Sequence, residues 1–548
     1  MIDPPSSSEL VLDGGTLSID TVCQVGLGQV MPRVTKDTSV LNKLAASKAV
    51  VDAAVAENKP IYGVTTCFGG MADVAIPSEL VNASQRNLLS FLATGTGEPI
   101  SSRHVRAAML LRANVLLQGK SGVRREIIDR LIRFVCANAV PVVRELGSIG
   151  ASGDLVPLAT IGRAITGHSS RCQILLDGQK VEGLIALKKL ELEPIELQAK
   201  EGLAIVNGTS FSSAIAANCV FESQSLLAMS LAVQAIMLRA LNVQHEPFAA
   251  FVHQNKPHAG QLWTAKVMRE FLGAESEREN SANSILQDRY SLRCLPQYFG
   301  PIVDGVARVS EVITTEMNSV TDNPLIDSVG QRFYQNGNFL GQYVAIAMDD
   351  LRRFLGLLAK HLDVQIAQLV SPEFNHGLPP SLRGDESRIY NMGLKGLQIT
   401  GNSIMPMLTY FGNPITEHFP THAEQFNQNI NGLSWTSANM AWRSVDLFQD
   451  YMTVASLFAI QAIDLRARQE LGHYDGRALL QESLMPIYDA VYAACEEKTG
   501  KQRPFLVHDE DRWLEADLQL IKQSLQPGGG LTSAIKPLVE SFKVAFQI

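Results

Sequence analysis

The sequence predicts a mainly α protein, with a long-helix central bundle preceded by a small α+β N-terminal part. Two observations predict it. Beyond about residue 209, apolar residues recur at helical spacing over 210–241, 258–273, 304–320, 341–371, 422–470 and the tail from Asp511. Pro and Gly mark the breaks, as in "SPEFNHGLPPSLRG". In the first 200 residues, by contrast, short alternating runs flank Asp-Gly turns. "ELVLDGGTLSI" places Asp13-Gly14-Gly15 between two such runs, and "QILLDGQKVEG" does the same with Asp177-Gly178, so each reads as a hairpin. Between them, "SRHVRAAMLLRANVLLQG" starts a helix at a serine cap, Ser102, and closes it at Gly119. "REIIDRLIRFVCANA" is a second helical pattern. The change of pattern divides the chain into 1–208 and 209–548.

A chain of 548 residues is long enough to bury about three quarters of its unfolded surface. Its 46% hydrophobic and 19% charged residues suit a large interior or apolar subunit interfaces. A net charge of -8, with Lys and Arg scattered, gives no electrostatic reason to bind nucleic acid. The start, "MIDPPSSSEL", lacks a basic, then apolar, secretory pattern. Leu226 to Leu241 is the longest apolar stretch, but Gln234 and Arg239 interrupt it, so a mostly buried helix fits better than a membrane span. Seven cysteines form no CxxC pair and no zinc spacing, which points to reduced thiols in a cytoplasmic protein.

Several local patterns fail on inspection. "GKSG" at Gly119 to Gly122 would need a glycine at Asn114 and a preceding strand to bind phosphate, so Gly119 reads as a helix C-cap. Ser152 sits in Gly150-Ala151-Ser152-Gly153-Asp154, which is not the GxSxG nucleophile turn. Asn207-Gly208-Thr209 fits a glycosylation sequon only in a secreted protein. The eleven histidines show no metal spacing, and no metal or nucleotide cofactor is expected. Other positions are odd as structure alone. Gln287, Tyr290 and Arg293 lie three apart, so a helix would put them on one face able to fork onto a carboxylate. Glu424, Asn427 and Gln428 make a second polar face by the same spacing. "YGVTTCFGG", Tyr62 to Gly70, is a glycine-bearing loop with one phenol.

These pieces join "GSIGASGDLVPL", "EGLAIVNGTS", "LQDRYSLRC", "MNSVTDNPLI", "NGNFLGQY", "NMGLKGLQI", "GNSIMP" and "FPTHAEQFNQNIN" in order along the chain. With them the chain, from about residue 10 to 545, resembles the aromatic amino acid ammonia-lyases and aminomutases, especially compact bacterial phenylalanine ammonia-lyases. These carry a 4-methylidene-imidazole-5-one (MIO) group within the ammonia-lyase and fumarase-like fold. The resemblance implies that the N-terminal part carries the MIO loop and that Ala151-Ser152-Gly153 cyclises on itself. The Gly153 nitrogen attacks the Ala151 carbonyl, two waters leave, and the Ser152 side chain becomes an exocyclic methylene. A backbone ring needs an unhindered nitrogen, hence glycine, and a β-hydroxyl to eliminate, hence serine. Gly147 and Gly150 permit the strained turn that the surrounding protein must enforce.

The resemblance also assigns roles. Tyr62, on its mobile loop, takes the β-proton, which needs a lowered phenol pKa or a proton route through neighbours. Arg293 holds the substrate carboxylate, with Gln287 and Asn338 near the carboxylate and the loop. Asn207 and Tyr290 sit beside the electrophile. Glu424 lies near the migrating amine, with Lys395, Asn427 and Gln428 completing a polar wall, while Leu203 and Phe339 line the pocket. Phe91-Leu92 carries substrate choice. Tyrosine-preferring relatives have histidine at the first of these positions, so Phe91 favours phenylalanine, giving trans-cinnamate and ammonia. Alternatives on the same site are phenylalanine or tyrosine 2,3-aminomutase and tyrosine ammonia-lyase. Cys67 stands where glycine is usual, which should stiffen the Tyr62 loop and favour re-addition of ammonia. Asn336 replaces a second common glycine, with only a local effect expected. The family assembles as a homotetramer in which segments 62–92, 287–293 and 395–428 come from different chains. "GNSIMP" also echoes the loop of the fumarase group but continues Met407-Leu408-Thr409, which implies at most a shared bundle. A non-enzymatic scaffold would require the tripeptide to stay uncyclised.

Overall fold

The structure, a computed structural model, describes residues 8–168, 171–273, 286–418, 422–499 and 502–548. The opening of the N-terminal run and Phe419-Pro420-Thr421 of the "FPTHAEQFNQNIN" motif lie outside the described residues. Helices dominate, as the periodicity predicts. The chain forms two compact units: 1–221 with 310–349 and 414–442, and 222–309 with 350–413 and 443–548. This discontinuous partition differs from a single cut at residue 208. Four of its five boundaries fall inside the helices Ser210–Ala240, Leu295–Met317, Gln342–Leu369 and Ser434–Leu471, so a single cut along the chain does not separate the units.

The first unit holds the small β elements that frame the candidate site. Gln173–Leu176 and Gln179–Glu182 form the expected antiparallel hairpin. Asp177 and Gly178 take φ of 51° and 75°, the left-handed pair that a tight two-residue hairpin turn requires. The other expected hairpin does not exist. Ser8–Leu12 pairs in parallel with Val30–Val34, in register from Ser8 opposite Val30 to Leu12 opposite Val34. After Gly14 (φ 82°), Asp13 Oδ1 takes the Gly15 N–H and the chain enters the Ser18-capped helix Ile19–Gly26 instead of turning back. Thr96–Pro99 pairs with Arg144–Leu146, which delivers the chain to Gly147 at the start of the small-residue loop.

The helix runs Ser102–Leu117, so Ser102 is its first residue and not the expected cap; Ser101 holds the N-cap position, and its side chain makes no capping bond. Gly119 closes it with φ of 67°, in agreement with a C-cap rather than a phosphate loop. In Arg125–Cys136 the apolar stripe Ile127, Ile128, Leu131 and Val135 is buried. Ser210–Ala240 is long and apolar enough to cross a membrane, yet 89% of its most apolar window is buried within the protein.

Two helical expectations need correction. The run 422–470 is helical only from Ser434, because Glu424, Gln425 and Phe426 take φ of 51°, 50° and 67°. Three successive left-handed residues cannot belong to a right-handed helix. Lys395–Phe411, where no helix was expected, is one, and "GNSIMP" lies inside it. Elsewhere the bounds shift modestly. Leu295–Met317 starts nine residues earlier than its pattern suggests and carries Pro301 inside, and the tail resolves into Leu514–Ser524 and Gly530–Phe546.

Beneath the site, the fully buried Lys200 ammonium contacts both Asp322 carboxylate oxygens, at 2.9 and 2.8 Å. Arg112, also buried, donates to the carbonyls of Ala204 and Thr321. Such pairs destabilise strongly when one partner is lost, because the other charge stays buried and unpaired. Asp322→Asn is expected to cost about 3–5 kcal/mol in urea unfolding, and the double variant Lys200→Met/Asp322→Leu to recover most of it. A loss below about 1 kcal/mol for the single variant would show that the pair does not act as a unit.

Candidate active site

The loop Gly147–Pro157 is clamped from several directions. Gly150 and Gly153 take φ of 65° and 70°, and Ala151 and Gly153 are buried. A Cβ on Gly153 would run into the Gly208 backbone, and one on Gly150 would sit 2.6 Å from Ser434 Oγ. Gly153 bridges Gly208 in parallel, and the Asp154 N–H donates to the Gly208 carbonyl at 2.8 Å. Ser148 Oγ donates to the Gly153 carbonyl at 3.0 Å and accepts the Gly150 N–H at 3.2 Å. The Gly341 N–H reaches the Gly150 carbonyl at 3.1 Å, and the Leu433 N–H the Ile149 carbonyl at 2.9 Å. A backbone held this tightly in left-handed turns fits the demand of a self-forming ring, and only glycine fits at Gly153.

Two amides meet Ser152. Asn207 Nδ2 donates to the Ser152 carbonyl oxygen at 3.2 Å, and Gln428 Nε2 donates to Ser152 Oγ at 3.0 Å. In the ring chemistry the first oxygen becomes the ring carbonyl and the second is the hydroxyl that leaves. Asn207 stands at the C-terminal end of the helix Glu201–Val206, and its Oδ1 is buried without a partner. Asp154 next to the tripeptide is fully buried. Its Oδ2 accepts the N–H groups of Phe211 and Ser212 at 3.0 and 2.7 Å, while its Oδ1 has no partner. Burial raises its pKa to about 7, against the pull of those N–H donors.

Tyr62 lies on a loop tied down by its own threonines. Thr65 Oγ1 accepts the Ile61 N–H at 2.8 Å, and Thr66 Oγ1 the Gly63 N–H at 3.1 Å. The Tyr62 hydroxyl accepts the Gly69 N–H at 3.1 Å. Burial raises the phenol pKa, Gly69 lowers it less, and the Glu424 carboxylate adds to the rise. The phenol is thus shifted away from the lowered pKa that the resemblance asks of a base at Tyr62. Glu424 is itself raised by burial, with Asn427 and Gln428 as hydrogen-bonding partners. These residues come together on a left-handed turn closed by the Ala423–Gln428 bridge, and not on a helix face. Gln428 is buried and Asn427 exposed.

Leu203 is buried, so close to Gly63 that a Cβ there would lie 2.6 Å from its Cδ2. Phe91 ends the helix Val81–Phe91 with 48% of its surface exposed, whereas Leu92 is buried. Phe339 is half-buried and Asn338 exposed, its N–H donating to Asn336 Oδ1 at 2.8 Å. Asn336 thus shapes its own turn.

Gln287, Tyr290, Arg293 and Lys395 belong to the second unit. Only Tyr290–Arg293 is helical there. Gln287 precedes the turn and is exposed, so the three do not share a helix face. Tyr290 is 73% exposed, and the Arg293 guanidinium packs over its ring at 4.7 Å. Lys395 opens its helix and is exposed. Among the described residues no three or more His, Cys, Asp or Glu gather as a metal site.

One connecting residue escapes sequence reading. Gln85, fully buried, donates to the Gly63 carbonyl at 2.9 Å and accepts the Leu203 N–H at 3.1 Å, which joins the Tyr62 loop to the helix before Asn207. Nothing in "VNASQRNLLSF" sets it apart from the other polar residues of that helix. Asp154 could have been suspected as the one charge in an otherwise small and apolar run.

The aromatic amino acid lyase family model matches residues 17–485. A phenylalanine ammonia-lyase from Nostoc punctiforme is 48% identical, over 98% of this chain and 96% of its own length. Among solved structures, a tyrosine aminomutase from Streptomyces globisporus is similar with a TM-score of 0.85 at 26% identity, over 97% of this chain and 98% of its own. The Pantoea agglomerans phenylalanine aminomutase gives 0.84 at 27% identity, over 96% of this chain and all of its own.

The raised Asp154 carboxyl makes stability pH-dependent. Its folded pKa of about 7 exceeds the unfolded value, so the contribution is full below about pH 4 and is lost as pH climbs through about 7. Wild-type urea midpoints should therefore fall from pH 4 to 8 relative to those of Asp154→Asn. Parallel curves would show that the carboxyl titrates normally.

Proposed function

The chain belongs to the aromatic amino acid lyase family, and from that premise we propose that it eliminates ammonia from L-phenylalanine to give trans-cinnamate at Ala151-Ser152-Gly153. It is a carbon–nitrogen lyase. The observation that carries the finer reading is the pair of amides on Ser152, one on the oxygen that would stay as the ring carbonyl and one on the hydroxyl that would leave. Once cyclised, the tripeptide supplies an electrophilic methylene that takes up the amino group and makes it a better leaving group.

The other work falls to side chains. Asn207 keeps a donor at the carbonyl oxygen of Ser152, where negative charge collects. Gln428 donates to the hydroxyl that departs when the ring forms. Tyr62 takes the β-proton at its hydroxyl oxygen, with the Gly69 N–H favouring the phenolate. The negative charge of Glu424 opposes that phenolate, and a protonated Glu424 removes the opposition, which its raised pKa assists. Phe91 offers no hydrogen-bond partner, so burying a substrate phenol hydroxyl there would cost about 1–3 kcal/mol. Arg293 would receive the substrate carboxylate as a fork.

The reading includes a homotetramer in which 62–92, 287–293 and 395–428 meet from different chains. Its support is apolar surface on the second unit, where Tyr290, Ile389, Tyr390, Ile399 and Tyr410 are all more than half exposed. A second reading, a 2,3-aminomutase, is favoured by Cys67, whose side chain narrows the backbone freedom of the loop that carries Tyr62.

Intact mass should be lower than the sequence mass by two waters, and Ser152→Ala should abolish both that deficit and turnover. Tyr62→Phe should keep the deficit and lose turnover. An unmodified wild-type mass would sink the lyase. With phenylalanine supplied, cinnamate should accumulate from the first time points, and persistent β-phenylalanine in excess of it would establish the mutase instead.

A further inference from the structure

Tyr290–Arg293 is a single turn of four residues, and the resemblance places Tyr290 beside the electrophile and Arg293 on the substrate carboxylate. So short a helix has no stability of its own and needs fixing from outside. On the helix Gln342–Leu369, His361, Gln365 and Gln368 follow one another four and three residues apart, so they share a face, and all three are buried. They converge on Ser291. His361 Nε2 lies 2.8 Å from the Ser291 carbonyl oxygen, and Gln365 Nε2 donates to the same oxygen at 2.9 Å. The Ser291 hydroxyl donates to Gln368 Oε1 at 3.4 Å.

A carbonyl only accepts, so His361 carries its proton on Nε2. Burial holds the imidazole neutral, with a pKa of about 4. Its ring stacks on Tyr298 at 4.6 Å between centroids, which fixes its plane. The arrangement is costly, since His361 Nδ1 and Gln365 Oε1 are buried without partners. Apolar side chains would pack two helices together without that cost. On the near side of the turn, Asp288 Oδ2 accepts the Gln244 N–H at 2.7 Å, and the Arg289 guanidinium lies over Phe374 at 4.2 Å. Gln368 Nε2 donates to the Phe374 carbonyl at 3.1 Å. Arg293, by contrast, forms no ion pair among the described residues, and its Nε has no partner. The turn is fastened through its backbone, and the guanidinium is left to a ligand.

We propose that His361 and Gln365 are positioning residues for the carboxylate fork, holding the Ser291 carbonyl so that Arg293, stacked on Tyr290, is preset without an ion-pair partner among the described residues. The proposal rests on the reading that Arg293 receives the substrate carboxylate.

The test compares His361→Phe/Gln365→Met, the single variants Gln365→Met and His361→Gln, and Arg293→Lys as full-length protein. Circular dichroism and intact mass check fold and cyclisation. A preset fork grips substrate and transition state alike, so the double variant should raise KM for phenylalanine about tenfold with a much smaller change in kcat. His361→Gln, which keeps an amide donor, should restore most of the affinity. A KM within about twofold of wild type in the folded, cyclised double variant overturns the proposal. Should the double variant fail to fold, Gln365→Met alone decides by the same twofold line. Arg293→Lys separates the premise: an unchanged KM there removes Arg293 from carboxylate binding, whereas a raised KM with unaffected cradle variants refutes the positioning role alone.

Discussion

Gly153 and Gly208 meet backbone to backbone, and the remainder of the site hangs from that crossing. Neither can carry a side chain. A Cβ on Gly153 would enter Gly208, and one on Gly208 would meet Arg112 and the Thr321 carbonyl. Arg112 in turn holds the Ala204 carbonyl at the back of the helix that ends in Asn207. The approach of two glycines therefore aligns three things at once: the Gly153 backbone, the Asn207 amide that donates to Ser152, and the buried Arg112 cation behind both. A local Gly/Ser loop would supply flexibility, while this one is prevented from moving.

The same closeness sets the electrostatics. Asp154, Glu316, Glu424 and Tyr62 all have their pKa values raised, and in each case burial is the largest cause. Acids that hold their protons add no negative charge to their surroundings and can donate a hydrogen bond. Arg112 feels the Asp154 and Asp322 charges in turn, which partly offset its own desolvation. The environment thus favours neutral groups around Ala151-Ser152-Gly153 and keeps its cation beneath them.

How far this was legible in the sequence depends on the range of the forces involved. Long helices were readable because the 3.6-residue period and its Pro and Gly breaks are local, and so was the hairpin at Asp177-Gly178. The parallel pairing of Ser8–Leu12 with Val30–Val34 was not, because it depends on a partner beyond an intervening helix. The spacing of Glu424, Asn427 and Gln428 suits a helix and a tight left-handed turn equally, and only tertiary contacts choose between them. Ser152, Asn207 and Gln428 were found through their motifs and do meet. Gln85, His361 and Gln365 stayed hidden, since a buried glutamine or histidine bonded to a distant carbonyl leaves no pattern in its own neighbourhood.

The loop of Tyr62 refines the meaning of Cys67. Its order comes from backbone bonds that glycine would also make: Cys67 N–H to the Val74 carbonyl, and Ile76 N–H to the Thr65 carbonyl at 2.8 Å. Cys67 keeps a negative φ, so its side chain enters the closed loop without strain. What a side chain adds at such a position is the loss of alternatives, since it denies the open loop conformations that glycine would allow. The closed form gains by default, with no new contact. A loop narrowed in this way leaves its observed form less often, and that is what a side chain at Cys67 changes around Tyr62.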